Sequence, residues 1–162
     1  MSRSGYGDDC DNWALIRWRG AVTQAVRGKR GQAMLRELVQ ALDALPTQRL
    51  AFGSLVTAEG EYCALGALGL ARGMDLASVD PEDRHAVAEA FDIAEAMAAE
   101  VMHLNDDGMV DEQRAINVDV CGPMRMWENH TQLRWVTNPN AGRIRWGRVR
   151  AWAKANLMPH NV

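Results

Sequence analysis

Apolar residues recur at steps of three and four over the first 45 positions. Leu15, Trp18, Val22 and Val26 form one stripe, with Arg17, Gln24 and Arg27 off it. This spacing predicts a helix over 13–27 that starts on Asp11 or Asn12 as its cap. Gly28-Lys29-Arg30-Gly31 interrupts the pattern, since a glycine inside a helix costs about 1 kcal/mol relative to alanine. Leu35, Leu38, Leu42 and Leu45 then define a second helix over 31–45, which Pro46 closes. Two amphipathic helices across so short a turn read as an antiparallel helical hairpin.

After Pro46 the period changes. Arg49–Val56 is short and mixed, Thr57-Ala58-Glu59-Gly60 is a turn composition, and Glu61-Tyr62-Cys63 can pair back, predicting a small β-hairpin near 49–63. Cys63–Leu70 is apolar and rich in small residues. It reads as the start of a closely packed helix ending near Gly73, with a buried strand as the alternative. Asp80-Pro81-Glu82-Asp83 has the order of a helix start, followed by Ala86, Val87, Ala90 and Phe91 as the buried face. Asp92 is expected to cap a further helix with the stripe Ile93, Met97, Val101 and Leu104, stopped by Asn105-Asp106-Asp107-Gly108. Met109–Gly142 holds no sustained period. It is expected to be an irregular, insert-like segment at about 109–142, or a pair of short strands around Met124–Trp127 and Leu133–Val136. A last helix over 143–156 turns Trp146, Val149, Trp152 and Ala153 inward.

The expected fold is therefore mainly α: a single helical domain over 1–162 with a small β-hairpin. The alternative is an α+β chain with a small antiparallel sheet. Helices 13–27, 31–45 and the last one should pack together, with Trp18, Leu38, Leu42 and Trp152 in or near the core.

Composition narrows the class. The 162 residues are 48% hydrophobic and 24% charged, the balance of a soluble globular domain. No run approaches the 18 or so apolar residues of a membrane span, so no membrane partner is expected. Met1–Cys10 is polar and acidic without the apolar stretch of a secretory signal, which makes a cytoplasmic location the expectation. Cys10, Cys63 and Cys121 are too few and too scattered for a disulfide framework.

The net charge of −3 conceals a segregation into blocks. Residues 1–12 carry −2, and 13–42 carry six bases against one acid. Residues 43–112 carry fifteen acids against three bases, and 113–162 carry eight bases against two acids. Such asymmetry fits a nucleic-acid or protein partner, and it fits better a fold in which the blocks face and neutralise one another.

Motifs for chemistry are scarce. Gly28-Lys29-Arg30-Gly31 lacks the longer glycine loop and the hydroxyl residue of a phosphate-binding loop. The serine-hydrolase elbow, zinc-protease, paired-cysteine and EF-hand patterns do not occur, and no metal or cofactor is implied. Cys63 at a helix start has the position of an activated thiol, which would make the chain a small cysteine hydrolase. Its neighbours Ala64, Leu65, Ala67 and Leu68 favour a buried core thiol instead. His103, ahead of Asn105 and Asp106, reads as a histidine against its own helix end, with an acid–base pair as the alternative.

The strongest physical signal is the pairing of arginine with tryptophan. Arg17, Arg19, Lys29 and Arg30 surround the first helix. Arg143, Arg145, Arg148, Arg150 and Lys154 surround Trp146 and Trp152 in the last. These nine residues are the candidate binding surface, for nucleic acid through phosphate contact and stacking, or for a protein. The tryptophans share the inward stripe, so what remains outside is an arginine-rich face.

Gly60–Ala67, Asn105-Asp106, Trp18–Gly20, Gly28–Gln32 and Trp146–Trp152 together resemble a family of small uncharacterised phage and prophage proteins with a Gly-x-x-Cys-x-Leu-Gly-Ala segment and a helix-terminal Asn-Asp. The resemblance covers most of the chain and implies origin, not activity. The leading expectation is a non-enzymatic phage accessory protein that binds a host macromolecule, above all a host protein, in the bacterial cytoplasm. A nucleic-acid-binding protein is the alternative. Self-association is compatible with either.

Overall fold

The leucine stripe of the second predicted helix lies at the centre of the molecule. In the computed structural model, which describes residues 2–7, 10–108, 112–119 and 131–159, this helix is α2 (Lys29–Ala44). It buries Met34, Leu35, Leu38, Ala41 and Leu42. Each leucine so buried contributes about 1.5–3 kcal/mol. α2 packs on α1 (Asn12–Arg27), α3 (Ala64–Ala71) and α6 (Ala141–Ala155). α5 (Glu95–Asp106) touches α1, α3, α6 and the short α4 (Arg84–Phe91), and completes the core with Met97, Val101 and Met102. A single residue, Gly28, separates α1 from α2, so Lys29 and Arg30 belong to the second helix itself.

The chain is mainly α, 56% helical with six α-helices and one two-stranded antiparallel sheet among the described residues. The sheet is not where the sequence placed it. The 49–63 region does pair back across its turn, through one antiparallel bridge, Val56 with Tyr62, and the Cys63 N–H on the Leu55 carbonyl, but without forming a regular strand. The strands are β1 (Gln113–Asp119) and β2 (Thr131–Thr137), inside the segment expected to be either irregular or a pair of short strands. The predicted strand at Leu133–Val136 is within β2, and its partner is 113–119. Met124–Trp127, Cys121, His130 and His160 lie outside the described residues.

Two helix boundaries also differ from expectation. Asp80-Pro81 forms a turn in which Asp80 accepts from the Glu82 N–H, and α4 begins only at Arg84, capped by Asp83, whose carboxylate accepts from His85 and Ala86. Its buried face is Val87, Ala88 and Phe91, with Ala90 exposed. Asp92 does not cap α5. It sits in the left-handed region at φ 51° and ends α4, leaving Ala94 as the α5 cap. α3 lies directly on the preceding loop: a Cβ on Gly66 would meet the Leu55 carbonyl oxygen at 1.8 Å, so only glycine permits this approach.

Candidate functional site

α6 is anchored into the fold by the arginines expected to face outward. Arg145 is only 6% exposed; it ion-pairs with Glu112 and donates to the Leu50 carbonyl. Arg148 donates to the Leu104 carbonyl at 2.6 Å, and Arg150 pairs with Asp43 while lying over the Trp146 ring. Trp146 itself donates to the Leu42 carbonyl. Arg145 is therefore no part of an outer face, because the Leu50 carbonyl and Glu112 enclose it. Of the five α6 candidates, Arg143 and Lys154 remain exposed.

The first cluster fares differently. Arg17, Arg19, Lys29 and Arg30 are all exposed. Arg30 pairs with Asp92 at 2.9 Å in open solvent. Arg17, Lys29 and the neighbouring Arg27 make no side-chain hydrogen bond or ion pair among the described residues. The charge blocks thus neutralise one another around α6, and Arg19 lies near Glu100 of α5, while Arg17, Arg27 and Lys29 have no such counterpart among the described residues.

Cys63 sits at the amino end of α3, where its sulfur accepts from the Gly66 N–H. The thiol is 2% exposed, and burial pushes its pKa up, with the neighbouring Arg3 guanidinium offsetting only part of that effect. A buried, raised thiol weighs against the nucleophile reading.

What covers it was not legible in the sequence. Residues Ser2–Tyr6 form a strap across the end of α5. Arg3 Nε donates to Asp106 at 2.7 Å with both side chains 4% exposed, and Ser4 donates to Asp107 at 2.8 Å. Asn105 is turned inward rather than forming an outer turn. It donates to the Ala51 carbonyl and to Asp106, and accepts from the Ala64 N–H. His103 meets Asp107 at 2.6 Å, with Tyr6 stacked on Trp18 and both rings edge-on to the imidazole. The buried side-chain polar atoms without a hydrogen bond among the described residues all lie in this network: the Tyr6 hydroxyl, the Trp18 Nε1, and the Arg3 Nη1 and Nη2, of which Nη2 is held to Asp106 as an ion pair at 2.7 Å. Among the described residues no group of three or more His, Cys, Asp or Glu is placed to hold a metal ion.

The remaining candidate is the ribbon. Its register pairs Ala115 with Trp135 and Asn117 with Leu133, so Leu133 and Trp135 share one face, each 62% exposed. Every residue described on that face is exposed, whereas Ile116, Val118 and Val136 on the other are half-buried. The root of the ribbon is held by Asn138 donating to the Glu112 carbonyl and by Arg145 on the Glu112 carboxylate. Beyond that root, the substantial packing of each strand is against the other. The sequence carried a faint signal in the β-rich Leu133–Val136, but nothing in it marked which face stays bare.

No helix among the described residues is long and apolar enough to cross a membrane. No family model, no curated protein and no solved structure matches the chain.

Proposed function

We propose that this chain is a non-enzymatic binding protein whose partner is another protein. The observation that carries this reading is the bare Leu133–Trp135 face of the ribbon. A lone two-stranded hairpin is marginally stable in water and gains most from a further strand or an apolar surface laid against it. Tryptophan with leucine beside it is the composition of an interface centre, and an unpaired strand edge offers main-chain hydrogen bonds to an extended segment. Under the phage resemblance, the partner is a host protein and the role an accessory one.

The nucleic-acid reading keeps one supporting observation, the unpaired Arg17, Arg27 and Lys29. It loses its second cluster, since Arg145, Arg148 and Arg150 are engaged within the fold.

A photo-crosslinking residue placed at position 135, and separately at the exposed turn position 58, tests the proposal in cells. The expected result is a discrete protein adduct from position 135 that persists after nuclease treatment and is absent from position 58. Adducts that vanish with nuclease, or that are equal at both positions, would overturn it.

A further inference from the structure

α1 is attached to the molecule on one side only. Leu15, Trp18, Val22 and Val26 face inward, yet Val26 alone is fully buried. At 100° per residue, Trp13, Ile16, Arg17, Gly20, Gln24 and Arg27 fall within a sector of roughly 120° on the opposite side. That sector is bare: Trp13 is 71% exposed and Ile16 61%. Trp13 and Ile16 form a second apolar pair, three residues apart, that the inward stripe does not use.

Gly20, midway along this sector, is unexplained by the fold itself. A Cβ there would meet nothing within 4 Å, so the residue spends about 1 kcal/mol of helix propensity for no internal approach. It lines a shallow, open depression together with Thr23, Gln24 and Arg27. From Asn12 to Arg36 the chain contains no acid, and Arg17, Arg27 and Lys29 lack partners among the described residues.

We infer that this face of α1 is a docking surface for an acidic amphipathic helix of a partner protein. The apolar side of such a helix covers Trp13 and Ile16, its backbone comes close at Gly20, and its carboxylates reach Arg17, Arg27 and Lys29. Charge selects this occupant. A second copy of α1 would bring arginine against arginine, which costs rather than stabilises. A nucleic-acid backbone would satisfy the cations but leave Trp13 and Ile16 in water. The surface is separate from the ribbon, so it stands or falls independently of the function proposed above. A contact spanning about 20 Å of helix is at the small end of specific interfaces.

The test is a titration of the full chain, followed by fluorescence anisotropy, against three labelled probes. These are a 20-residue helical peptide with leucine at i, i+3, i+4, i+7 spacing and glutamate elsewhere, its lysine counterpart, and a 20-base-pair DNA duplex. The acidic peptide is expected to bind at least tenfold more tightly than either of the others. Gly20→Leu and Trp13→Ser should each weaken it at least tenfold, while Trp135→Ser leaves it unchanged. Because position 20 opens onto solvent, Gly20→Leu should keep the wild-type circular dichroism spectrum, and Gly20→Ala should raise the Tm. Tighter binding of the duplex or the lysine peptide, no binding of the acidic peptide, or binding indifferent to Gly20→Leu would overturn the inference. Concentration-dependent dimerisation abolished by Gly20→Leu would overturn it too, in favour of a second copy.

Discussion

The Asn105 side chain, in the last turn of α5, accepts the Ala64 backbone N–H at 3.0 Å and so satisfies a free donor of the first turn of α3. The same amide donates to the Ala51 carbonyl at 2.9 Å, tying together three segments far apart in the chain. Replacing it with alanine leaves a buried N–H and a buried carbonyl unpaired, at about 1–3 kcal/mol each before relaxation. Asn105→Ala is expected to lower stability by about 2–4 kcal/mol in urea denaturation, and Asn105→Asp to do no better, since its second oxygen cannot donate to Ala51.

Cys63 should be inert to a thiol reagent in the native protein, because the sulfur is enclosed and its pKa raised by burial. With Cys10 and Cys121 replaced by serine, labelling is expected only on unfolding. Arg3→Ala removes the guanidinium that lies against the thiol and pairs with Asp106, and should speed labelling at least tenfold without denaturant. Equal rates in the two proteins would mean that the strap does not govern access.

Two carboxylates are expected to move stability in opposite directions with pH. Burial raises the Glu100 pKa above its ordinary 4.5, so the folded chain holds that proton more tightly than the unfolded one. Stability from Glu100 is full below the ordinary value and falls as pH rises through the raised one. Glu100→Gln should therefore raise the Tm at pH 7 and change little at pH 3.

Asp43 is the reverse case, drawn below its ordinary 3.8 by its hydrogen bond to Arg150. Its contribution is present above that value and is lost as pH falls through the lowered one. Asp43→Asn should lower the Tm at pH 7, less so in high salt because the pair is partly exposed, and progressively less as pH falls below the ordinary carboxylate value.

Arg145 and Arg143 lie two residues apart on α6 and should behave differently. Arg145→Ala removes both the tie to Glu112, just before β1, and a donor to the buried Leu50 carbonyl, for an expected loss of about 2–3 kcal/mol. Arg143→Ala, on an exposed side chain, should stay within about 0.5 kcal/mol. Equilibrium denaturation of the two variants makes the comparison.

These contrasts mark how far the sequence could be read. α2 was legible because four leucines at helical spacing have one way to be buried, and α1, α5 and α6 were legible for the same reason. The ribbon was not, because neither face is fully covered. Gln113–Asp119 alternates apolar and polar residues only over Ile116–Asp119, too short a run to mark a strand, and its pairing depends on a strand 12 or more residues away. Nor could periodicity separate Arg145 from Arg143 and Arg148, since burial of an arginine is decided by which carbonyl and carboxylate meet it. Asn105-Asp106 has the composition of an outer turn, and only the strap and the Ala51 carbonyl turn it inward. On α1 the inward stripe was read correctly, while Trp13 and Ile16 opposite it passed unremarked.

The strap also imposes an order on biosynthesis. Arg3 and Asp106 are 103 positions apart, so Arg3 leaves the ribosome well before its counterion. At about 5–20 residues per second the wait is roughly 5–20 s. During that interval the nascent chain holds α1 and α2 but not the Asp106 carboxylate that receives the guanidinium in the fold, and the Cys63 thiol emerges with its cover undocked. Protection of that sulfur therefore arrives late, after α5 has been made, and a cell under oxidative stress would encounter the thiol during translation rather than in the finished protein.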